Sequence, residues 1–431
     1  MNQKTKNTWF KEIPSEWKLC KTKYLIKFIN GYAFESDDMS LEGTYPVIRI
    51  GDIKNNGISY ESCLYVKDNN GLEKYQIKKD DILIAMSGAT VGKIGIATET
   101  KNSYINQRVG IIRCDNPKYM FYLLSTNEFM EYVYLNSPGS AQPNISDTQV
   151  GMFEIPLPSI EEQNLIVNFL DEKCNSVDLT IEKTEKEILI LEEYKYSLIT
   201  ETVKKKLNDD SFSTKMNTEW IGEIPSEWNA KRLKYVATLK GRIGWQGLTA
   251  DEYQDEGPYL ITGVDFKDGK IDWDSCVHIS EKRWQEATDI QIENGDLLIT
   301  KDGTVGKVAI VEDLTAKASL NSGVMVIKLS KEYSKRYLYW VLKSDVFWKW
   351  FDLNNAGNST IIHLYQNEFA NFTFPIPSFE EQVKISNYLD EKVATIENTI
   401  NKLKTSLELL KQYKKSLIYE YVSGNKRLEV K

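Results

Sequence analysis

Residues 156–163 are Pro-Leu-Pro-Ser-Ile-Glu-Glu-Gln, and residues 375–382 are Pro-Ile-Pro-Ser-Phe-Glu-Glu-Gln. Each stretch begins a long segment without proline or glycine, and its glutamates fall in the first helical turn, where the helix dipole favours negative charge. Apolar residues then recur at alternating spacings of three and four, which predicts a coiled-coil helix of about four to five heptads. The first seam contains Val167, Leu170, Cys174, Val177, Ile181, Thr184, Ile188, Leu191 and Leu198, and the second contains Leu389, Val393, Ile396, Ile400, Leu403, Leu407, Leu410 and Leu417.

The two predicted helices are too long to bury their apolar stripes alone. At 1.5 Å per residue, a helix of about 45 residues extends roughly 65 Å. We expect the two helices to pack on each other as an antiparallel pair; the alternatives are that each helix crosses its own head or meets another protein. Lys195 and Lys414 are charged breaks at equivalent places in the seams.

The helices belong to a duplication that runs through the whole chain. Other matched stretches, in the same order in both copies, are Glu12–Trp17 with Glu223–Trp228, Asp81–Lys93 with Asp296–Lys307, Leu170–Lys173 with Leu389–Lys392, and Tyr194 with Tyr413. Between these anchors the copies differ freely, as in residues 31–34 against 241–248. A fixed internal period of this kind indicates a repeated structural unit. The sequence therefore predicts two heads on one scaffold with diverged loops.

Each head is predicted to be mixed α/β. Short apolar runs between Gly, Asn and Asp turns predict strands at 47–50, 81–84, 94–96 and 109–113, and aromatic faces predict helices at 118–124 and 336–346. A charged, Asp- and Ser-rich linker is predicted at 204–214. Trp17 and Trp228 are interpreted as packing anchors rather than stacking platforms.

Charge is distributed unevenly along the chain. The net charge is −8, but residues 1–155 carry 18 basic and 18 acidic groups, whereas residues 156–210 carry 7 basic and 13 acidic groups. The deficit thus lies in a predicted helix, and a neutral head can still present a local basic face. Because the phosphate term dominates affinity for DNA, this chain by itself is expected to bind DNA weakly and to need a partner.

The chain contains little that suggests catalysis. Five dispersed cysteines without a Cys-x-x-Cys pair favour a reduced cytosolic protein, and two isolated histidines provide neither a metal-ligand set nor the usual general base. No apolar run is long enough to span a membrane, and the N-terminal residues lack a signal-peptide core. We therefore expect no catalytic residues, no metal and no cofactor bound by this chain.

Residues 88–93, Gly-Ala-Thr-Val-Gly-Lys, superficially resemble a phosphate-binding loop. That motif requires four residues between its glycines and a Ser or Thr after the lysine. Here three residues separate the glycines, two in the second copy, and Ile94 and Val308 follow the lysines. A tight turn between strands is the better interpretation, with Lys93 and Lys307 extending outward, either solvated or onto DNA phosphate.

Two variable heads, each closed by Pro-x-Pro-Ser-x-Glu-Glu-Gln and a heptad helix, resemble the specificity subunit of type I restriction-modification systems. The resemblance covers essentially the whole chain and depends on Ile13-Pro14-x-x-Trp17 with its repeat at 224–228, the strand-turns at 81–93 and 296–307, and the closing stretches at 156–163 and 375–382. It implies an α+β fold: two mixed α/β target recognition domains joined by a pair of long antiparallel coiled-coil helices, as a pseudo-twofold tandem duplication. The implied boundaries are 1–158 and 208–377 for the recognition domains and 159–207 and 378–431 for the helices.

The resemblance also implies a function and partners. Each head is a target recognition domain for one half of a split double-stranded DNA sequence, while the helices act as a spacer and dock methyltransferase subunits, two in number. Those partners bring S-adenosylmethionine and methylate adenine, and a motor-nuclease subunit brings ATP, Mg²⁺ and cleavage. The expected compartment is the prokaryotic cytoplasm. Because the heads have diverged, the two half-sites should differ and the target should be asymmetric.

The residues expected to read DNA are polar or basic and are predicted to lie on exposed loops, because base edges present donors and acceptors in the groove. They are Lys54, Asn55, Ser87, Thr90, Lys93, Asn106 and Arg108 in the first head, and Arg242, Trp245, Gln246, Lys267, Lys301, Thr304, Lys307 and Asn321 in the second. Asn106 and Asn321 are alternatively turn residues. A coiled-coil adaptor that binds only proteins, and an enzyme with an unfamiliar site, are the competing hypotheses.

Overall fold

The computed structural model describes residues 9–10, 13–54, 57–67, 71–137, 143–207, 213–215, 218–242, 248–355 and 363–428. Its contacts divide the chain into two compact units. The first unit comprises Met1–Glu185 with Thr405–Lys431, and the second comprises Lys186–Lys404. Each unit therefore contains one head together with parts of both long helices.

The first head contains eleven described strands and three short helices. The strands are β1 Lys18–Lys21, β2 Ile26–Asn30, β3 Tyr45–Ile48, β4 Ile53–Lys54, β5 Gly57–Ile58, β6 Leu64–Val66, β7 Ile82–Ala85, β8 Ile94–Ile96, β9 Tyr104–Ile105, β10 Val109–Cys114 and β11 Glu154–Leu157. The helices are α1 Pro117–Leu124, α2 Asn127–Leu135 and α3 Asp147–Met152, and the long helix α4, Ile160–Thr202, follows.

The second head contains fourteen described strands and four short helices. Its described strands are β12 Ser213–Lys215, β13 Glu223–Pro225, β14 Asn229–Arg232, β15 Ala237–Gly241, β16 Gln254–Ile261, β17 Phe266–Lys267, β18 Lys270–Ile271, β19 Val277–His278, β20 Gln291–Ile292, β21 Leu297–Thr300, β22 Val308–Ile310, β23 Ala318–Leu320, β24 Val324–Leu329 and β25 Thr373–Ile376. Its helices are α5 Glu281–Gln285, α6 Lys335–Leu342, α7 Asp345–Asn355 and α8 Gln366–Phe369, followed by the long helix α9, Phe379–Val422.

The same antiparallel sheet is built in each head. Its strand order is β2-β10-β7-β8 in the first head and β15-β24-β21-β22 in the second. β7 and β21 are buried along their whole length, which explains their uninterrupted apolar sequences. A smaller sheet in each head contains one parallel pair, β3 with β9 and β16 with β23. The mixed α/β architecture expected from the sequence is confirmed.

The long helices contribute to the core of each unit. In the first unit, Leu170 of α4 and Val422 of α9 join the aromatic core around Phe129 and Phe153. In the second unit, Ile199 of α4 and Leu389 of α9 join the core around Phe347. Because these helical side chains complete a head's core, each head and its helix segments should unfold together.

Buried tyrosines attach the helices to the heads in the same way in both units. The Tyr119 hydroxyl lies 3.1 Å from the Pro156 carbonyl oxygen and 3.4 Å from that of Val422. The Tyr337 hydroxyl lies 3.1 Å from the Pro375 oxygen and 3.0 Å from the Val203 oxygen. Burial raises the pKa of both tyrosines well above its ordinary value, so both stay protonated and can donate.

α4 and α9 pack as an antiparallel pair in each unit, as expected. In the first unit, Lys414 Nζ lies 2.6 Å from Asp178 Oδ2 and Lys411 Nζ lies 3.4 Å from Glu185 Oε1. In the second unit, Lys404 Nζ lies 3.1 Å from Glu192 Oε1, and Lys195 Nζ lies 3.2 Å from Glu397 Oε1. Partner numbers fall along one helix as they rise along the other, which is the signature of antiparallel packing. The charged breaks at Lys195 and Lys414 are thus neutralised across the helix pair.

Three sequence expectations about local structure were wrong in detail. β3 ends at Ile48, and Ile50–Asp52 form a 3-10 turn because the Arg49 amide donates to Asp52 Oδ2 at 2.9 Å. The helix expected at 336–346 is broken after Leu342, where the buried Ser344 hydroxyl donates to the Val341 carbonyl. The linker predicted at 204–214 gives way to β12 from Ser213; within it, residues 208–212 lie outside the described residues.

Trp17 is a packing anchor, as interpreted from the sequence. It is buried, and its Nε1 donates to Glu162 Oε2 at 3.0 Å. Arg427 donates to Glu162 Oε1 at 3.0 Å and to Glu16 Oε1 at 3.0 Å. Trp228 is buried at the equivalent place in the second head.

Candidate nucleic-acid interface

The Gly-Ala-Thr-Val-Gly-Lys segment of the first head, residues 88–93, forms a tight turn between β7 and β8, as predicted. The Ala85 amide donates to the Lys93 carbonyl at 2.8 Å, and the Gly92 amide donates to the Ala85 carbonyl at 2.8 Å. Gly88 and Gly92 both have a φ of 80°, which favours glycine. A strand follows the turn, whereas a phosphate-binding loop leads into a helix.

The second head builds a turn one residue shorter between β21 and β22. The Lys307 amide donates to Thr300 Oγ1 at 2.9 Å, and the Gly306 amide donates to the Thr300 carbonyl at 3.0 Å. Gly306 has a φ of 83°, and a Cβ atom there would lie 2.5 Å from Cη2 of Trp348. The Thr300 side chain thus compensates for the missing residue.

A second turn lies beside the first in each head. In the first head, residues 106–109 form a turn in which the Val109 amide donates to the Asn106 carbonyl at 2.8 Å. The Arg108 carbonyl accepts a hydrogen bond from the Met86 amide at 2.8 Å. In the second head, the Val324 amide donates to Asn321 at 3.1 Å and the Lys301 amide donates to Gly323 at 2.8 Å. Asn106 and Asn321 are therefore turn residues, and the fold places Arg108 beside Ser87 and Asn321 beside Lys301.

The predicted readers on these turns differ in exposure. Arg108 and Thr304 are exposed, whereas Lys93, Lys301 and Lys307 are half-buried. The Lys307 ammonium donates to the Gly263 carbonyl at 3.2 Å, so it does not extend freely outward as expected. The Asn321 amide group donates to the Tyr253 hydroxyl at 3.2 Å.

Ser87 and Thr90, on the β7–β8 turn, contribute hydroxyl groups rather than charged groups. Their hydroxyl oxygens are buried and have no hydrogen-bond partner among the residues that the structure describes. A buried polar group without a partner costs about 1–3 kcal/mol. A ligand group that reached this turn could recover that free energy by hydrogen bonding.

A small hairpin flanks the turn in each head. In the first head it is β4 with β5, and it packs so closely that a Cβ atom on Gly95 would lie 2.4 Å from the Gly57 oxygen. Lys54 is exposed on this hairpin and donates to the Gly51 carbonyl at 3.0 Å. In the second head the hairpin is β17 with β18, where the exposed Lys267 pairs with Asp272. The fold thus places Lys54 beside the β7–β8 turn and Lys267 beside the β21–β22 turn.

One predicted residue, Arg242, is not on an exposed loop surface. Arg242 is buried, and its guanidinium donates to the Leu320 carbonyl at 2.7 Å and to Ser319 Oγ at 3.1 Å. Burial lowers the pKa of Arg242, and the side chain stabilises the head from inside, which corrects the expected exposure. Three further predicted residues, Asn55, Trp245 and Gln246, lie outside the described residues.

Sequence reasoning missed a charge pair at the start of β7 and its counterpart at the start of β21. Arg113 Nε and Nη2 donate to the buried Asp81 at 2.7 and 2.8 Å, and Lys328 Nζ lies 2.5 Å from Asp296. The repeat carried the signal: Asp81 and Asp296 precede the apolar strands β7 and β21. Arg113 and Lys328 are basic residues at equivalent places at the ends of the partner strands β10 and β24.

Among the described residues, no group of three or more His, Cys, Asp or Glu side chains could hold a metal ion. Within those residues, no helix combines the length and apolarity needed to cross a membrane.

The model of one family, the type I restriction modification DNA specificity domain, matches residues 14–190 and 225–409. These two matches coincide with the two copies of the repeat and cover more than half of the chain. The chain belongs to this family of type I specificity subunits.

Curated relatives of this specificity subunit are similar over nearly their whole length. The MjaVIII specificity subunit of Methanocaldococcus jannaschii is 24% identical over 97% of this chain and 94% of its own length. The EcoBI specificity subunit of Escherichia coli is 23% identical over 96% of this chain and 86% of its own length.

Solved structures share the fold. A chain from a structure concerning complex assembly and conformational transition of the type I R-M system has a TM-score of 0.72 at 16% identity, covering 96% of this chain and all of that one. The HsdS subunit from Thermoanaerobacter tengcongensis has a TM-score of 0.51 at 17% identity, covering 96% of this chain and 98% of its own.

Proposed function

We propose that each head of this specificity subunit reads one half of a split, asymmetric DNA target and that the chain itself catalyses no reaction. The observation that carries the proposal is the repeated strand scaffold, β2-β10-β7-β8 and β15-β24-β21-β22, whose loops differ between the heads. A scaffold held constant while its loops diverge suits two readers of different sequences, because base choice depends on the side chains that loops present.

The reading surface in each head is centred on the β7–β8 or β21–β22 turn. In the first head, Ser87, Thr90 and Lys93 of this turn supply two hydroxyls and an ammonium, and Arg108 of the neighbouring turn supplies a guanidinium. Such groups pair with acceptors and donors on base edges in the major groove. The flanking lysines, Lys54 and Lys267, are suited to neighbouring phosphates.

The long helices are proposed to set the gap between half-sites. α4 and α9 have 43 and 44 residues without a break, so each extends roughly 65 Å at 1.5 Å per residue. Paired helices resist bending more than a single chain segment, so the number of turns would fix the distance between the two readers.

The catalytic activities are proposed to reside in partners. Two methyltransferase subunits would bind S-adenosylmethionine and methylate adenine, and motor-nuclease subunits would use ATP and Mg²⁺ in the bacterial or archaeal cytoplasm. The net charge of −8 supports this division, since DNA binding by an acidic chain benefits from partners that enclose the duplex.

The test is an exchange of one head. Residues 1–155 would be replaced by the equivalent head of a relative with a different target, and methylated adenines in the genome of the expressing cells would be mapped by single-molecule sequencing. We expect one half of the methylated motif to change while the other half and the gap stay the same. A change in both halves would contradict the proposal. Failure of the assembled wild-type complex to select any duplex at low salt would favour a protein-binding adaptor.

A further inference from the structure

Each head displays one exposed tyrosine directly after an exposed lysine, at the same place in the repeat. Lys23 and Tyr24 lie on the 3-10 turn Thr22–Tyr24, and Lys234 and Tyr235 lie on the 3-10 turn Leu233–Tyr235. Tyr24 is 73% exposed and Tyr235 is 69% exposed. The Lys23 ammonium lies 5.0 Å from the centre of the Tyr24 ring, and the equivalent distance in the second head is 5.4 Å.

The fold holds both turns rigidly by the same contacts. The Thr22 amide donates to the Phe153 carbonyl at 2.9 Å, and the Leu233 amide donates to the Phe372 carbonyl at 2.8 Å. Thr22 and Leu233 are themselves buried. The side chains that follow are therefore presented on a backbone already ordered, which lowers the entropic cost of binding.

Packing does not explain why the pair is the same in both heads. The buried residues of the two turns differ, Thr22 against Leu233, although they fill equivalent sites. The exposed residues are the ones kept, although an exposed side chain contributes little to stability. A feature kept in two heads whose loops have otherwise diverged is suited to a ligand that both heads share.

The surrounding sequence is basic in a chain that is acidic overall. Residues 18–34 contain four lysines and no Asp or Glu, and residues 229–250 contain five basic residues and no Asp or Glu. Both segments include the Lys-Tyr turn, whereas the net charge of the chain is −8. Arg242 is buried and Lys240 Nζ lies 3.5 Å from Asp289, so the exposed positive charge at the second turn comes from Lys231, Arg232 and Lys234. This exposed charge complements an anion.

We propose that Lys23 with Tyr24 and Lys234 with Tyr235 bind the phosphodiester backbone of duplex DNA, one contact in each head. Phosphates are present at every DNA sequence, so one contact serves two heads that read different bases, and such contacts position a protein without specifying sequence. This inference rests on the proposed function, because it adds backbone anchors to the same DNA-bound state.

The side chains have the donors that this role requires. An ammonium group carries three donors and a phenol one. In the second head, Lys234 Nζ donates to Asn371 Oδ1 at 2.9 Å, a neutral acceptor that leaves the positive charge available. The tyrosine ring beneath the ammonium restricts its position, and the phenolic hydroxyl can donate to a second oxygen of the same phosphate.

The first experiment measures how salt affects binding of the full chain, assembled with its methyltransferase subunits, to a labelled random-sequence duplex and a target duplex. The variants are Lys23→Gln, Lys234→Gln and the double variant. Each lost phosphate contact should make the slope of log K against log salt shallower by about 0.9, on both duplexes alike. Tyr24→Phe with Tyr235→Phe should weaken binding and leave this slope unchanged.

Lys74→Gln is the matched control. Lys74 also precedes a tyrosine on a 3-10 turn, with its ammonium 5.6 Å from the Tyr75 ring, but it follows Glu73 and has no counterpart in the second head. We expect Lys74→Gln to leave the affinity and the salt slope unchanged. Thermal unfolding of every variant shows whether its fold is intact.

Two results would overturn the inference. In the first, the lysine variants show the same slope of log K against log salt as the wild type, while the wild-type complex still prefers its target duplex. That result would refute the proposed phosphate contacts and leave the proposed function intact. In the second, the variants fail to assemble with the methyltransferase by size-exclusion chromatography, which makes the turns a protein-docking surface. Absence of target preference in the wild-type complex would instead contradict the proposed function.

Discussion

Asp81 and Asp296 occupy the same place in the two heads, before a core strand, but pair with different cations. Asp81 accepts the Lys78 amide at 2.8 Å, and Asp296 accepts the Glu293 amide at 3.1 Å. Each buried carboxylate thus orders the turn before a core strand and needs a cation beside it. Arg113 provides that cation in the first head, and Lys328 provides it in the second.

Substitution of Arg113 tests this equivalence. Arg113→Lys should lower the free energy of unfolding of the first head by about 1 kcal/mol, because Lys328 shows that an ammonium satisfies the site. Arg113→Ala leaves Asp81 buried and unpaired and should cost about 3 kcal/mol. Urea unfolding followed by circular dichroism measures both. Equal losses for the two variants would contradict the assigned pairing.

The two glycines of the first turn provide a second test. A Cβ atom on Gly92 would lie 2.9 Å from Cγ1 of Val133, whereas one on Gly88 would meet only Ile50 Cδ1 at 3.5 Å. Both have a φ of 80°, so the strain from the left-handed backbone is the same, about 1 kcal/mol. Gly92→Ala should therefore be the more destabilising by about 1 kcal/mol or more. Thermal unfolding of the two variants makes the comparison, and equal shifts would mean that Val133 moves freely.

At the scale of elements, the long helices keep a charged pair inside an apolar seam. Lys195 matches Lys414 in the repeat, and their partners Glu397 and Asp178 match each other as well. The lysine side chains are 28% and 19% exposed, so each charge is partly withdrawn from water. A charged pair at one seam position favours one register over others, since any shift leaves both charges unpaired.

Substitutions at Lys414 separate pairing from packing. Lys414→Ala removes the partner of Asp178 and should cost about 1–2 kcal/mol. Lys414→Leu continues the apolar seam and should cost less, or stabilise the pair. Lys415→Ala, at the exposed neighbouring position, should stay within about 0.5 kcal/mol of wild type. The measurement is urea unfolding of the full chain, and a larger loss for Lys415→Ala would reverse the assignment.

At the scale of the whole molecule, the proposed spacer predicts a change in the DNA gap. A seven-residue insertion before Ile188 and another before Leu407 preserve the heptad seam at matched positions. Each lengthens its helix by about 10.5 Å, which is about three base pairs of duplex. We expect the gap in the methylated motif to grow by about that amount while each half-site keeps its bases.

A control insertion of three residues at the same two positions breaks the heptad pattern. It should destabilise the helix pair rather than produce a new gap, and thermal unfolding would reveal the loss. Altered half-site bases in the seven-residue variant would show that the helices do more than separate the heads.

The sequence by itself predicted the features that depend on periodicity and repetition. The heptads predicted the long helices, because a continuous apolar stripe at helical spacing indicates a helix. The duplication of these helices led to the expectation that they pair antiparallel, and the glycines at 88–92 and 303–306 predicted tight turns through local backbone preference. The sequence did not indicate that the helix predicted at 336–346 ends after Leu342. That break depends on a hydrogen bond from the buried Ser344 hydroxyl to the Val341 carbonyl, which a sequence pattern does not reveal.

Only the tertiary structure decided what single polar residues do. Arg242 follows Gly241 and Lys93 follows Gly92 in the sequence, but Arg242 is buried against Leu320 and Ser319 whereas Lys93 is half-buried. The tertiary structure also leaves Lys23 and Tyr24 exposed while it buries the preceding residue, Thr22. The physical reason is that helices and turns arise from contacts between near neighbours, whereas the exposure of a polar side chain depends on which distant strands close over it.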